Sequence, residues 1–147
     1  TGISKALLRG VEAKVIDYQT FNKNRIAFDL ELQNQLVQHE IDLVLLAGFM
    51  HILGKNFIVG WKGRILNIHP SLLPKYKGIK TYERILKNDE KITGCTVHYV
   101  NDKLDSGKII VKKKFKISKK DNVKSLKMKT QLLERRAYSE AIFKIYR

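Results

Sequence analysis

Asn67 and His69 stand two residues apart in the stretch "LNIHPSLLPKYKG", Leu66 to Gly78, which also holds both prolines of the 147-residue chain, Pro70 and Pro74. Side chains two apart on a strand share one face. An imidazole there can give or take a proton near neutral pH. An amide NH2 beside it can hold a developing oxyanion while the proton moves. Asp105, in the turn-like "NDKLDSG", could fold back toward the same cleft, where its carboxylate would orient the ring and raise its pKa. The prolines stiffen the segment that carries the pair. The same residue types also suit a strand end followed by turns, and spacing alone does not bring Asp105 to His69.

Other chemistries lack a carrier. No serine sits at a nucleophile elbow. The single cysteine, Cys95, lies within the strand-like "TGCTVHYV" and reads as a small buried residue. His39, His51, His69 and His98 lack metal-ligand spacing, so no metal is expected. No Gly-rich phosphate cradle follows any visible strand.

The elements that must position these residues follow from periodicity. "TGISKALLRG" reads as the tail of a helix stopped at Gly10, and "AKVIDY" as a short strand. "NRIAFDLELQNQLVQHE" places Ile26, Leu30 and Val37 on one face of an amphipathic helix. "IDLVLLAG" and "RILNIH" are apolar runs typical of strands buried on both faces of a parallel sheet. "KTYERILKND" is helical, and "ITGCTVHYV" and "KIIVKKKFKI" are strands, the second half-exposed and antiparallel or at an edge. Residues 121–146 form a closing helix with Leu126, Leu133, Ala137 and either Ile142 or Phe143 inside. The order predicts an α/β fold: an open, mostly parallel Rossmann-like sheet with helices on both faces and a mixed or antiparallel edge. Ligands of such sheets bind beyond the carboxyl ends of the strands, where "AGFMHIL" and "NIHPSLLP" lie.

Composition narrows the partners. The formal charge is +15, which attracts nucleic acid, anionic membranes or phosphorylated small molecules. The lysines are spread along the chain, with one dense patch at "KKKFKISKK", Lys112 to Lys120, and no arginine stripe with interleaved aromatics. That favours a solvated surface over a nucleic-acid face. No apolar run spans a bilayer and no secretory signal is visible, so a cytoplasmic setting without a membrane partner is expected. Oligomeric state is not encoded legibly.

"LAGFMHIL", "GRILNIHPSLLPKYKG", "TGCTVHYVNDKLDSG" and "TQLLERRAY" follow one another in this order. Together they resemble the folate-dependent formyltransferases, above all those acting on glycinamide ribonucleotide in purine biosynthesis. The resemblance implies the formyltransferase fold and formyl transfer from 10-formyltetrahydrofolate to the amine of glycinamide ribonucleotide. Asn67, His69 and Asp105 match the family's catalytic Asn, His and Asp. Met50, His51, Ile52 and Leu53 match the segment whose backbone contacts folate, with Asn67 also touching it. Arg25 matches a folate-contacting Arg, and Glu134 a substrate-contacting Glu. His51 stands where many members have Arg. The family opens with a strand and a phosphate-binding loop ahead of the matched region, so residues 1–147 are expected to form a single formyltransferase domain lacking that N-terminal part. Methionyl-tRNA formyltransferases and formyltetrahydrofolate hydrolases share the Asn-x-His core, but tend to have Gly or a second His where this chain has Pro70. A basic RNA-binding module on an inactive scaffold is the non-enzymatic alternative.

Overall fold

The computed structural model describes residues 2–147, and their contacts divide into two compact units. The first comprises the chain up to Ile41 together with Ile52–Phe57; the second comprises Asp42–His51 and Ile58–Arg147.

In the first unit, helix α1 (Gly2–Leu7) ends as expected, with Gly10 in the left-handed region at φ 66° and its N–H on the Leu7 carbonyl. The strand expected at "AKVIDY" does not form. A strand needs a ladder partner, whereas the Asp17 carboxylate offers the backbone a local one by accepting the Gln19 N–H at 2.9 Å. The chain therefore turns into a 3-10 helix, Tyr18–Phe21. Helix α2 (Arg25–Gln38) follows, capped by Asn24, whose side chain accepts the Ala27 N–H. Its buried residues are Phe28 and Asp29, not the expected face: Ile26, Leu30 and Val37 are exposed. Phe28 instead takes the edges of Tyr18 and Phe21, at centroid distances of 5.1 and 5.9 Å. Periodicity identified the helix correctly but could not say which side the neighbouring 3-10 turn would cover.

The second unit is built on a four-stranded mixed sheet in the order β1 (Val44–Leu46), β2 (Ile65–His69), β3 (Ile92–Tyr99), β4 (Ile109–Lys116). β1 and β2 are parallel, while β3 is antiparallel to both β2 and β4. β2 and β3 are central and buried almost throughout. β1 was expected to be buried on both faces, yet Leu45 is 40% exposed because this three-residue strand pairs on one side only. Helix α3 (Lys55–Gly60) precedes β2, and α4 (Thr81–Lys87) lies between β2 and β3.

Helix α5 (Val123–Ile145) covers one sheet face. Asn122 and Ser125 cap it reciprocally. Ala137 and Ala141 let its backbone approach Leu66, Ile68, Cys95, Val97 and Val111, and Leu133 packs at the margin. Phe143, two residues past Ala141, falls on the far side of the helix and is exposed, whereas the sequence has it as an alternative core residue. By strand alternation, Asn67, His69, Thr96 and His98 project from the opposite face.

Candidate active site

The register explains which polar side chains meet. On β2 and β3, Asn67 pairs with His98 and His69 with Thr96, so four polar residues form one patch on the face away from α5. Thr96 fastens the loop that leaves β2. Its hydroxyl donates to the Ser71 carbonyl at 2.7 Å and accepts the Leu73 N–H at 3.1 Å. Ser71 in turn donates to the Lys75 carbonyl. The Leu73–Pro74 peptide is cis. The stiffness expected from two prolines is thus shared with hydroxyls that tie the loop to the sheet.

Asp105 comes to the same patch from the β3–β4 connection. Its Oδ2 lies 3.3 Å from His69 Nδ1 and accepts the Gly78 N–H at 2.8 Å, while its Oδ1 lies 3.7 Å from His98 Nε2. The structure therefore brings Asn67, His69 and Asp105 together, with His98 as a fourth member. His98 Nδ1 donates to the Tyr99 carbonyl at 2.9 Å. That tautomer leaves Nε2 to accept the Asn67 amide at 3.4 Å. His98 was missed as a site residue, although alternation in "TGCTVHYV" puts Thr96 and His98 on one face and Cys95 and Val97 on the other.

The turn at Asp105 depends on Gly107. A Cβ there would stand 1.7 Å from the Tyr99 carbonyl oxygen. Gly107→Ala must therefore separate the ends of β3 and β4 and displace Asp105. We expect a loss of about 3 kcal/mol of stability, the upper end for overpacking, measured by urea unfolding. A change below 1 kcal/mol on the same ~1–3 kcal/mol scale would rule out the steric argument.

His69 is buried, and both ring nitrogens face acceptors: Nδ1 the Asp105 carboxylate, Nε2 the Tyr76 carbonyl at 2.7 Å. Burial lowers its pKa below the ordinary imidazole value; the Tyr76 carbonyl and Asp105 pull upward, while His98 and Arg84 push down. The expectation that the carboxylate raises this pKa thus holds for its own contribution but not for the net shift. In the neutral ring one nitrogen must turn a lone pair on an acceptor, so each protonation state is opposed by something, burial in one case and geometry in the other. Burial also pushes Asp105 upward, but His98, the Gly78 N–H and His69 outweigh it and hold the carboxyl below the usual range.

The segment from Tyr76 to Lys80 is held by its own contacts. Lys77 donates to the Ser106 hydroxyl at 2.6 Å, and Arg84 to the Lys77 carbonyl at 2.6 Å. The Tyr76 hydroxyl donates to Glu90 at 2.8 Å.

Arg25, Ile52 and Leu53 belong to the first unit, and Met50, His51 and Glu134 to the second. Met50 is 77% exposed, and the His51 ring stands edge-on to Phe49 at 5.7 Å. Leu53 is buried. Glu134 sits half-buried on α5, the helix covering the opposite sheet face, and burial raises its pKa. Cys95 is buried and its thiol is pushed up to about 12 by burial, which makes it a poor nucleophile. Among the described residues no group of three or more His, Cys, Asp or Glu side chains is placed to hold a metal ion, and no helix is long and apolar enough to cross a membrane.

An imidazole flanked by a carboxylate and an amide, with no enzyme nucleophile beside them, can polarise a carbonyl and pass a proton between two substrate atoms. Comparison with known proteins bears on which carbonyl. The profile described as formyl transferase matches residues 1–142. The chain is 42% identical over 144 residues to the trifunctional purine biosynthetic protein adenosine-3 of Chironomus tentans, covering 96% of this chain and 10% of that one. It is 36% identical over 137 residues to phosphoribosylglycinamide formyltransferase of Escherichia coli, covering 93% of this chain and 64% of that one. A crystal structure of glycinamide ribonucleotide transformylase 1 from Symbiobacterium toebii superposes with a TM-score of 0.91 at 37% identity, covering 96% of this chain and 66% of that one. The chain thus spans about a tenth of the trifunctional relative and just under two thirds of the Escherichia coli protein.

Proposed function

The chain belongs to the formyl transferase family, and from that premise we propose that it transfers a formyl group from 10-formyltetrahydrofolate to the amine of glycinamide ribonucleotide, in the cytoplasm, as a step of purine biosynthesis. The observation that carries the reading is Asp105 bridging His69 and His98, beside Asn67. The substrate amine is the nucleophile, which accords with a polar patch that contains no activated serine or thiol.

In the proposed mechanism the amine nitrogen attacks the formyl carbon, a C–N bond forms and the carbonyl oxygen becomes an oxyanion. The Asn67 amide and the protonated His69 ring stabilise that charge, with the oxyanion replacing the Tyr76 carbonyl as acceptor of the Nε2 proton. The amine then gives up a proton, and a proton reaches the folate nitrogen through His69 or a water. The bond between that nitrogen and the formyl carbon breaks, releasing tetrahydrofolate. Asp105 fixes the ring through Nδ1. Backbone groups of Met50, His51, Ile52 and Leu53, together with Arg25 and Asn67, contact folate; Glu134 contacts the ribonucleotide. No metal takes part.

The test is tetrahydrofolate release by this chain supplied with 10-formyltetrahydrofolate. Release that requires glycinamide ribonucleotide is expected. Release without any amine would assign a hydrolase, and formylation of methionyl-tRNA would assign the other branch. RNA binding without turnover would overturn the enzymatic reading.

The lysines of β4 share the sheet face of the polar patch, since Lys112 pairs with Thr96, but they are assigned no part in this chemistry. Lys112, Lys114 and Lys116 are exposed on β4. Replacing all three with Gln should leave turnover within about twofold, as for surface changes generally. A large loss of turnover in a folded variant would show that the patch binds an anionic substrate.

A further inference from the structure

The first unit contains a buried carboxylate that the proposed chemistry leaves unused. Asp29, on α2, is 9% exposed. Its Oδ2 accepts the Gly54 N–H at 2.7 Å. Its Oδ1 is buried and finds no hydrogen-bond partner among the described residues. A buried carboxylate with one oxygen unsatisfied opposes folding. Its presence therefore calls for a benefit other than stability.

The contact with Gly54 is close-fitted. A Cβ at Gly54 would stand 2.5 Å from Asp29 Oδ2 and 3.9 Å from Arg25 Nε. Arg25 and Asp29 are four residues apart on α2 and share a face. Gly54 directly follows Leu53, the last residue of the segment to which backbone folate contacts are ascribed above. The Leu53 carbonyl and the Gly54 N–H belong to one planar peptide and point in opposite directions when it is trans. Whatever holds the N–H therefore aims the carbonyl.

We propose that Asp29 is a positioning residue for folate: by holding the Gly54 N–H it fixes the Leu53–Gly54 peptide, so that the Leu53 carbonyl stands as a preset acceptor for an N–H group on the edge of the folate ring, next to Arg25. This rests on the folate reading above. An acceptor held in place ahead of binding avoids the ordering penalty that a free loop would incur. It also selects for heterocycles that present an N–H donor at that edge, because an unpaired acceptor penalises those that do not.

The experiment combines two readouts in Asp29→Ala, Asp29→Asn and Gly54→Ala. The first is hydrogen exchange of the Gly54 amide, which needs no ligand. The second is KM for 10-formyltetrahydrofolate and for glycinamide ribonucleotide, with kcat. A hydrogen bond to a charged group supports a change of about tenfold or more. Asp29→Ala should speed Gly54 exchange and raise the folate KM by that factor, with the ribonucleotide KM and kcat within about twofold. Asp29→Asn keeps an acceptor oxygen and should restore both. Gly54→Ala, which retains Asp29 but displaces the peptide, should show the same KM split if Asp29→Ala does not fold. Faster exchange with an unchanged folate KM would overturn the proposal, as would a loss spread evenly over both substrates and kcat. If the unmodified chain shows no saturable dependence on folate, the parent reading fails and this one with it. That result differs plainly from an active chain indifferent to Asp29→Ala.

Discussion

His69→Ala is expected to lower kcat by ~10²–10⁴-fold, the usual worth of a positioned acid–base group, while changing either KM far less. The ring can change its protonation during the reaction without leaving its contacts: Asp105 holds Nδ1, and Nε2 already directs toward an oxygen acceptor. Its interaction with substrate strengthens as charge develops on the formyl oxygen. Loss of the ring therefore falls on the transition state and not on ground-state binding. The variant should fold, since its Asn67, His98 and Asp105 neighbours keep one another as partners. Steady-state kinetics with circular dichroism decides it. A rise in KM at unchanged kcat would reassign His69 to binding.

Asp105→Asn is expected to slow turnover by about 10²-fold, the lower end of the same range, and to lower the His69 pKa further. The amide keeps the shape and one acceptor, but it cannot offset positive charge on His69 and also take the Gly78 N–H as the carboxylate does. The pH dependence has a defined sign. Asp105 is held below its ordinary range in the folded protein, so it contributes stability above about pH 4, near the unfolded carboxyl value, and that contribution is lost as pH falls through the folded value. His69 is lowered too, so its own penalty grows as pH falls from about 6.5 toward its folded value. The variant should lose the first contribution and extend the second to lower pH. NMR titration of the His69 ring in both proteins measures the shift directly. An unchanged His69 titration would remove the carboxylate from its assigned role.

Much of the site could be read because strand alternation is local. Asn67 and His69 share a face by period alone, and β2 is the strand that "RILNIH" suggested. Asp105 reached the patch through a turn whose convergence no spacing could establish; the Gly107 contact with Tyr99 and the Gly78 N–H that fix it are tertiary. His98 was legible in the alternation of "TGCTVHYV" but meaningful only once β3 was known to pair with β2 in that register. The errors share a cause. "AKVIDY" has strand-forming residues but no ladder, and Asp17 supplies a turn instead. The apolar positions Ile26, Leu30 and Val37 predicted a helix correctly, yet what a helix face packs against is decided by other segments.

The free edge of β4 carries a physical consequence beyond catalysis. Lys112, Lys114 and Lys116 recur at every second residue along a strand that pairs on one side only. Two copies approaching edge to edge would align rows of like charge before any backbone bond could form. At physiological ionic strength the screening length is about 8 Å, shrinking to about 3 Å in molar salt. The colloidal behaviour of the protein is therefore coupled to the electrolyte around it: dilute salt keeps the edges apart, and concentrated salt removes the barrier without touching the fold.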